Sequence, residues 1–570
     1  MYIFHLLFRI LDKSEKKKLI YIAILVFINA FVELISIGIL IPLISFLLER
    51  QATIFGIDIS IYFPSVENKF YLILLSLLVG LIYLIKNLFI FYYYIEQGKF
   101  VRGVQFRITS NLFKNYLYQD YNFFLKTNTG TLVRNMNVTG VVQIFLFNYL
   151  TLFLEIFLVL AMISYMLFLN LEPTLFALFF FSITLPFIYI KTRKKIFNLG
   201  KLQQEYQSVI NKNYIQAFGL IKSIKIFSLE KKFSNYFDKP FFNNLHATFR
   251  LDLIQQAPKL LVEIACVFVI CFIIVFMVIF KSSTSDALLM TSIYGAVALR
   301  LMPASSRIIS SLQKLKIFLP SFNILTEEYF KTLNIRESNL IDNRLLDFSK
   351  IQLVNISYKY NDSDVDFVLE NVNIDIFKNQ VIGICGESGS GKTTLVNILS
   401  GLIFPSKGSI YIDDKLSLPN NNLIPKIGYV TQETQIFDDT IWNNITLFHE
   451  KNKNSQNLFI SSIKKANLYS FVYSSTNDLK EDLLVGERGS KISGGQIQRI
   501  GIARALFLNS HILVFDEATS ALDERNSKEI IETIFSLKID KLIIIISHNK
   551  NNLINCDQVF EVKKKQVIKI

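Results

Sequence analysis

The sequence predicts a helical membrane domain of six spans followed by a soluble α/β domain, and three observations carry that prediction. Six apolar runs precede residue 310, at about 19–48, 70–95, 143–169, 174–190, 259–280 and 287–308, the fourth being short. Beyond residue 330 charges become frequent and apolar runs shrink to strand length, as at Val381–Cys385, Ile512–Phe515 and Leu542–Ile546, with helical patterns between them. The composition agrees: 51 % of residues are hydrophobic and mean hydropathy is +0.38, too little polar surface for the several soluble domains that 570 residues would otherwise imply. Disorder and collagen-like repeats are excluded as well. The expected domains are 1–330 and 347–570.

Lysine and arginine number 60 against 46 acidic residues, a net charge of +14. Such a surplus points either to nucleic acid or to membrane loops with the positive-inside bias, and its positions decide between them. The first run follows Lys13, Lys16, Lys17 and Lys18, which predicts a cytoplasmic N-terminus. Residues 96–142 then carry six Lys/Arg and 191–258 twelve, whereas Asn170–Pro173 carries none and Lys281–Asp286 one. The charge is therefore largely topological, and the six spans exclude a nucleic-acid ATPase. The first run is too long for the h-region of a signal peptide and should be retained, tilted or projecting into water. The segments 96–142 and 191–258 are expected to extend the flanking helices and turn near Asp120–Phe124 and Ile215–Lys225. Whether 49–69 forms an external helix stays open. Cys266, Cys271, Cys385 and Cys556 show neither pairing nor metal spacing.

The chemistry lies in the last 225 residues or so. Gly386-Glu387-Ser388-Gly389-Ser390-Gly391-Lys392-Thr393 follows a predicted strand and opens a predicted helix, the context of a phosphate-binding loop. Its glycines let backbone N–H groups converge on phosphate oxygens, Lys392 reaches the terminal phosphates, Thr393 suits Mg²⁺, and the helix N-terminus favours an anion. The strand Ile512–Phe515 ends in Asp516 and Glu517, which suits a Mg²⁺-organising acid and a water-polarising one; a helix-capping acidic turn before Ala518 is the structural alternative.

Between these motifs lies Ile492-Ser493-Gly494-Gly495-Gln496, and here the sequence resembles the ATP-binding cassette (ABC) family, whose signature normally begins with leucine. Isoleucine keeps an apolar packing group and leaves the serine and both glycines intact. The resemblance spans the chain, since six spans ahead of a cassette match the exporter half-transporter plan. It implies ATP and Mg²⁺ as cofactors, with ATP held by Tyr360, Gly386, Glu387, Ser388, Gly389, Ser390, Gly391, Lys392, Thr393 and Thr394, and by Ser493, Gly494, Gly495 and Gln496 of the opposite subunit. Tyr360 resembles the adenine-stacking aromatic, with Tyr358 its rival. Thr393, Gln432 and Asp516 are the implied metal residues, and Glu517, His548 and Gln432 the catalytic ones. Ser520-Ala521-Leu522-Asp523 resembles the loop that crosses the dimer interface, and Val485-Gly486-Glu487 the segment that meets the intracellular loops. With every element intact, the resemblance implies a homodimer with two competent sites.

The substrate is encoded more faintly. Lys86, Lys259, Arg300 and Arg307 lie in or at the ends of predicted spans, where an ionisable group is a functional candidate by default. Arg300 and Arg307 are seven apart, hence on one helix face. A basic lining suits an anionic head group, whereas snorkelling, or neutralisation by Glu33, Glu155 or Glu263, is the bland alternative. The stretch Ala298–Ile309 also resembles the sixth span of the PglK-type flippases, which move undecaprenyl-pyrophosphate-linked oligosaccharides in bacterial protein N-glycosylation. The expected function is ATP-driven translocation of a lipid-linked oligosaccharide or similar anionic lipid across a bacterial inner membrane, with the cassette in the cytoplasm and no nucleic-acid partner. The alternatives are export of peptides or drugs, against which stands the absence of a peptidase domain ahead of the first span, and an ATP-gated channel or regulatory membrane protein.

Overall fold

The computed structural model describes residues 2–39, 43, 53–54, 57–58, 68–280, 284–332, 347–360, 366–417, 427–472, 481–517, 524–548 and 550–570. The chain divides into two compact units, Met1–Leu117 with Thr127–Ile335, and Tyr118–Lys126 with Arg336–Ile570.

The first unit is helical, and its helices are longer than the apolar runs inside them. After α1 (Tyr2–Ile10) and α2 (Lys13–Gly38), α3 runs unbroken over Asn68–Leu117. Its 50 residues reach about 75 Å, far beyond a hydrocarbon core of about 30 Å. Past the turn segment assigned to the second unit, which holds the short α4 (Tyr121–Lys126), come α5 (Thr129–Val138), α6 (Val141–Leu169) and α7 (Leu171–Gly219). A second turn holds the short α8 (Ile221–Ile226), followed by α9 (Glu230–Phe280), α10 (Thr284–Ile317) and α11 (Leu319–Thr332). Helices α7 and α9 therefore continue well past their spans and meet at α8, as α3 and α5 are joined through α4. The expected turns near 120–124 and 215–225 fall at these two short helices. The 49–69 question lies almost wholly outside the described residues, which show only Thr53–Ile54 paired antiparallel with Ile57–Asp58.

Among the described residues five helices are long and apolar enough to cross a membrane, in Lys13–Ser36, Leu72–Leu117, Thr129–Phe168, Leu171–Gly219 and Glu230–Phe276. The sixth expected span lies in α10, which carries Arg300 and Arg307. The outer faces are what a bilayer selects: Leu77, Leu81, Leu84, Leu88 and Phe91 form one stripe at 57–67 % exposure, which would be a large aggregation-prone patch in water. Inward, α10 packs on α6 and α9, α7 on α9, and α2 on α3 and α6. At Gly200 in α7, a Cβ would lie 2.7 Å from the carbonyl oxygen of Ile317, so only glycine lets the end of α10 come this close.

The second unit is an α/β domain with two sheets. Strands β1 (Lys350–Tyr358), β2 (Leu369–Phe377), β4 (Lys407–Ile412) and β5 (Lys415–Ser417) form an antiparallel sheet in the order β2-β1-β4-β5. The other sheet comprises β3 (Val381–Gly386), β6 (Ile427–Val430), β7 (Ile512–Asp516), β8 (Leu542–Ile546), β9 (Gln558–Lys563) and β10 (Gln566–Lys569), in the order β10-β9-β3-β8-β7-β6. It is parallel except for the edge strand β10. Alternation along the strands splits the core in two: Ile382, Ile384, Ile512, Val514 and Ile544 face one apolar cluster, and Val381, Cys385, Leu513, Phe515 and Ile543 face the other. Covered on both faces, β8 is a continuous run of leucine and isoleucine.

Candidate functional site and family assignment

Four loops leave the carboxyl ends of neighbouring parallel strands, and the sheet's register brings them together. Asp516 aligns with Ile546, and Ile546 with Ile384, so the loops after β3, β8 and β7 open at one level, with the loop after β6 beside them.

After β3 the chain enters Gly386–Gly391, where Gly386, Gly389 and Gly391 have φ of +147°, +78° and +106°. A Cβ on Gly386 would stand 2.5 Å from the carbonyl oxygen of Val562, and one on Gly391 3.1 Å from the Leu369 side chain. The loop delivers Lys392 to the start of α12 (Lys392–Leu399). The lysine is buried, and its Nζ donates to the carbonyls of Gly386 (2.9 Å) and Glu387 (2.8 Å). Burial lowers its pKa, opposed by Glu517 and Asp516. The Ser390 hydroxyl is buried without a hydrogen-bond partner, and Thr393 is exposed at the first turn. The buried ammonium at the loop and the unpartnered hydroxyl are donors that fit a polyphosphate. A Gly386→Ala variant should lose most nucleotide binding, since its side chain collides with backbone; isothermal titration with MgATP checks it.

Asp516 and Glu517 differ. Burial raises the pKa of Asp516, partly offset by the hydroxyl of Tyr429, which donates to Oδ2 at 3.1 Å. Burial also raises the pKa of Tyr429 itself, reinforced by Asp516. Glu517 has φ of +48°, a sparsely populated conformation for glutamate, with its N–H bound to the carbonyl of Ile546 at 3.1 Å. Its carboxylate is held on both sides: Gln432 Nε2 donates to one oxygen at 2.8 Å, and His548 Nε2 lies 2.8 Å from the other. The three residues expected to be catalytic are thus in direct contact. Asp516, Thr393 and Gln432 are a hard oxygen set that fits Mg²⁺, an ion commonly held by one or two carboxylates plus substrate phosphates.

Tyr360 is 38 % exposed, and its hydroxyl lies 2.8 Å from that of Thr394, which leaves its ring open to a base. Its rival Tyr358 is 3 % exposed and packs edge-on against it, centroids 5.2 Å apart; its hydroxyl donates to Asn122 Oδ1 at 3.1 Å. Of the two, only Tyr360 is exposed enough to present its ring to a base.

Ser493, Gly494, Gly495 and Gln496 form the first turn of α13 (Gly494–Phe507). Ser493 and Gln496 make a capping box, each side chain accepting from the other's backbone N–H, and Ile492 packs against the core as an apolar first position should. No hydrogen bond among the described residues joins this turn to Gly386–Thr394. One turn on, the buried Gln498 donates to the carbonyl of Glu517 at 3.2 Å. Gly486 has φ of +76° before the exposed Glu487. Ser520–Asp523 lies outside the described residues.

Comparison with known families matches residues 19–300 to the ABC transporter transmembrane region and residues 369–520 to the ABC transporter family. The chain is an ABC transporter. It is 28 % identical over 479 residues to the ATP-dependent lipid A-core flippase of Francisella tularensis subsp. tularensis (strain SCHU S4 / Schu 4), covering 81 % of this chain and 76 % of that one. It is 36 % identical over 222 residues to a probable ABC transporter ATP-binding/permease protein of Haemophilus influenzae, covering 38 % and 39 %. The structure superposes on that of a bacterial Atm1-family ABC exporter with ATP bound at a TM-score of 0.78, with 17 % identity and 98 % and 95 % coverage. The fold is the exporter type, and the chain is an ATP-binding, membrane-spanning ATPase that couples hydrolysis to transport.

In the transporter's membrane unit, Lys86, Arg300 and Arg307 line one cavity of about 270 Å³ together with Asn29, Glu33 and Asn87. Lys86 Nζ lies 3.0 Å from Glu33 and Arg300 Nε 2.5 Å from the same oxygen, while Arg307 pairs with Glu155 at 2.5 Å. Lys259 does not join them: it is exposed on α9, and no ion pair with Glu263 forms despite the one-turn spacing. A second cavity, of about 350 Å³ and almost wholly apolar, lies among α6, α7, α9 and α10, on a face of α10 adjoining that of the arginines. Tyr429, Gln498 and Asn122 are contacts that sequence reasoning did not single out.

Proposed function

We propose that this ABC transporter is a homodimeric flippase of the bacterial inner membrane, with its cassettes in the cytoplasm, that translocates an anionic lipid, most specifically a lipid-linked oligosaccharide. The carrying observation is the cavity in which Lys86, Arg300 and Arg307 converge, since ionisable groups gathered within membrane spans are functional candidates by default. Asn29, 5 % exposed in the same wall, has an unpaired carbonyl oxygen, which suits a donor such as a sugar hydroxyl beside the phosphate. The apolar cavity on the adjoining face suits the hydrocarbon part of such a lipid. The relationship to lipid A-core flippases supports a lipid substrate in general.

In the proposed cycle Gly386–Thr393 and Tyr360 hold ATP, Ser493–Gln496 of the opposite subunit completes the site, and Thr393, Gln432 and Asp516 would hold Mg²⁺, which would neutralise phosphate charge. Glu517 takes a proton from the attacking water, with Gln432 and His548 fixing its carboxylate. Closure and reopening of the two cassettes move the turn that carries Asn122, whose side chain accepts from Tyr358 beside the adenine platform.

The test is stimulation of ATP hydrolysis in proteoliposomes. An undecaprenyl-pyrophosphate oligosaccharide should raise the rate several-fold, lipid A less, and apolar drugs or peptides not at all. Stimulation by drugs or peptides alone would replace this reading with drug or peptide export.

A further inference from the structure

The cations of the membrane cavity are already partnered, and their two acids are not equivalent. Glu155 is 1 % exposed and stands behind Arg307, outside the cavity lining. Glu33 is also nearly inaccessible, at 2 %, but it is part of the lining and a single one of its oxygens receives both Lys86 and Arg300. The Glu155–Arg307 pair is neutral, whereas two cations on one carboxylate leave the Glu33 cluster at +1. Arg300 donates to Glu33 through Nε, and neither Nη group takes part in that bond.

A phosphate cannot reach Lys86 and Arg300 at full strength while Glu33 occupies them, and they cannot stand bare in the membrane when the phosphate departs. We propose that Glu33 is the internal counter-ion that a substrate phosphate displaces from Lys86 and Arg300, so that its carboxylate weakens head-group binding and re-forms the ion pairs on release. The proposal rests on the anionic-lipid reading above. Glu33 acts here as a positioning and specificity residue: the exchange keeps each cation paired at every stage, and it selects head groups with enough negative charge to outcompete one buried carboxylate. Phosphates carrying two or more charges meet that condition, while zwitterionic bilayer lipids with one phosphate charge and a compensating amine do not.

The experiment titrates undecaprenyl pyrophosphate into nanodiscs holding the proposed homodimer of this chain at saturating MgATP and reads stimulated hydrolysis, with free inorganic pyrophosphate as the second arm. In Glu33→Gln the half-saturating lipid fraction should fall at least about tenfold and the maximal rate should fall with it, because the head group is held and not returned. A structural role alone would lower the rate without tightening half-saturation. An unchanged or raised half-saturation overturns the proposal. Glu33→Asp, which retains the charge but shortens its reach, should shift half-saturation the same way by less, and decides the matter if the glutamine variant does not fold. Arg300→Ala separates the two claims: if it too leaves the titration unchanged, the anion-site reading fails, and if it weakens binding while Glu33→Gln does nothing, only the counter-ion exchange fails. Equal response to free pyrophosphate would overturn a lipid-borne head group as the exchanging anion.

Discussion

Glu517→Gln should reduce steady-state ATP hydrolysis at least about 100-fold while leaving MgATP affinity within a few-fold of the parent. The substitution keeps the side chain's length and volume, so the left-handed backbone at φ +48° and its bond to Ile546 need not change. What changes is the proton chemistry. One carboxylate oxygen that accepts from His548 or Gln432 becomes an amide nitrogen with no basicity, and the amide of Gln432 rotates to face the remaining carbonyl. Binding relies on Gly386–Thr394 and Tyr360, which the change does not touch. The expected signature is therefore a nucleotide-trapped dimer: with MgATP the variant elutes as a closed pair for much longer than the parent. A parental rate would remove Glu517 from the base role, since no other carboxylate joins Gln432 and His548 among the described residues. Glu517→Ala should lose hydrolysis equally but relax the contacts between the loops after β6 and β8, so the two variants distinguish chemistry from scaffolding.

The nucleotide site was legible because each of its parts is a local motif whose neighbours in sequence dictate its geometry. A glycine loop between a strand and a helix, or two acids at the end of an apolar strand, carries its meaning in a few consecutive residues. Tyr429 was not legible for the converse reason. Its place beside Asp516 follows from the parallel register that sets Tyr429 against Val514 on the adjacent strand, and no spacing in the sequence encodes that register. Asn122 is further still from Tyr358 along the chain, and only folding places the turn that holds α4 with the second unit. Helix length was readable in outline, but that α3 runs unbroken to Leu117 depends on polar residues after the apolar run continuing the same helical register. Lys259 shows the limit of inferring a site from cations in apolar runs. A run of residues says how deep a charge lies and not which way it points, and Lys259 points outward from α9. Arg300 and Arg307 escaped that ambiguity because seven residues return the chain to the same face of α10.

That shared face makes the double variant Arg300→Ala with Arg307→Ala the sharpest test of transport, but the two arginines are not equivalent and the controls follow from the difference. Removing Arg300 leaves Glu33 with Lys86 at 3.0 Å, a cluster brought from +1 to neutral. Removing Arg307 strands Glu155, 1 % exposed, leaving a buried carboxylate without its partner, which destabilises the fold. Arg307→Gln combined with Glu155→Gln exchanges the ion pair for a neutral amide pair of similar volume and should fold almost as well as the parent. Reconstituted flipping of the lipid-linked saccharide should fall at least about 100-fold in the double alanine variant, because the two guanidiniums supply most of the phosphate donors. It should fall by about tenfold in the amide-pair variant, which loses Arg307 alone. Basal hydrolysis, read in the same vesicles without substrate, reports whether the cassettes still close. If flipping persists in the amide-pair variant and fails only where Glu155 is left unpaired, Arg307 serves the stability of the helix bundle, and recognition lies with Lys86 and Arg300 alone.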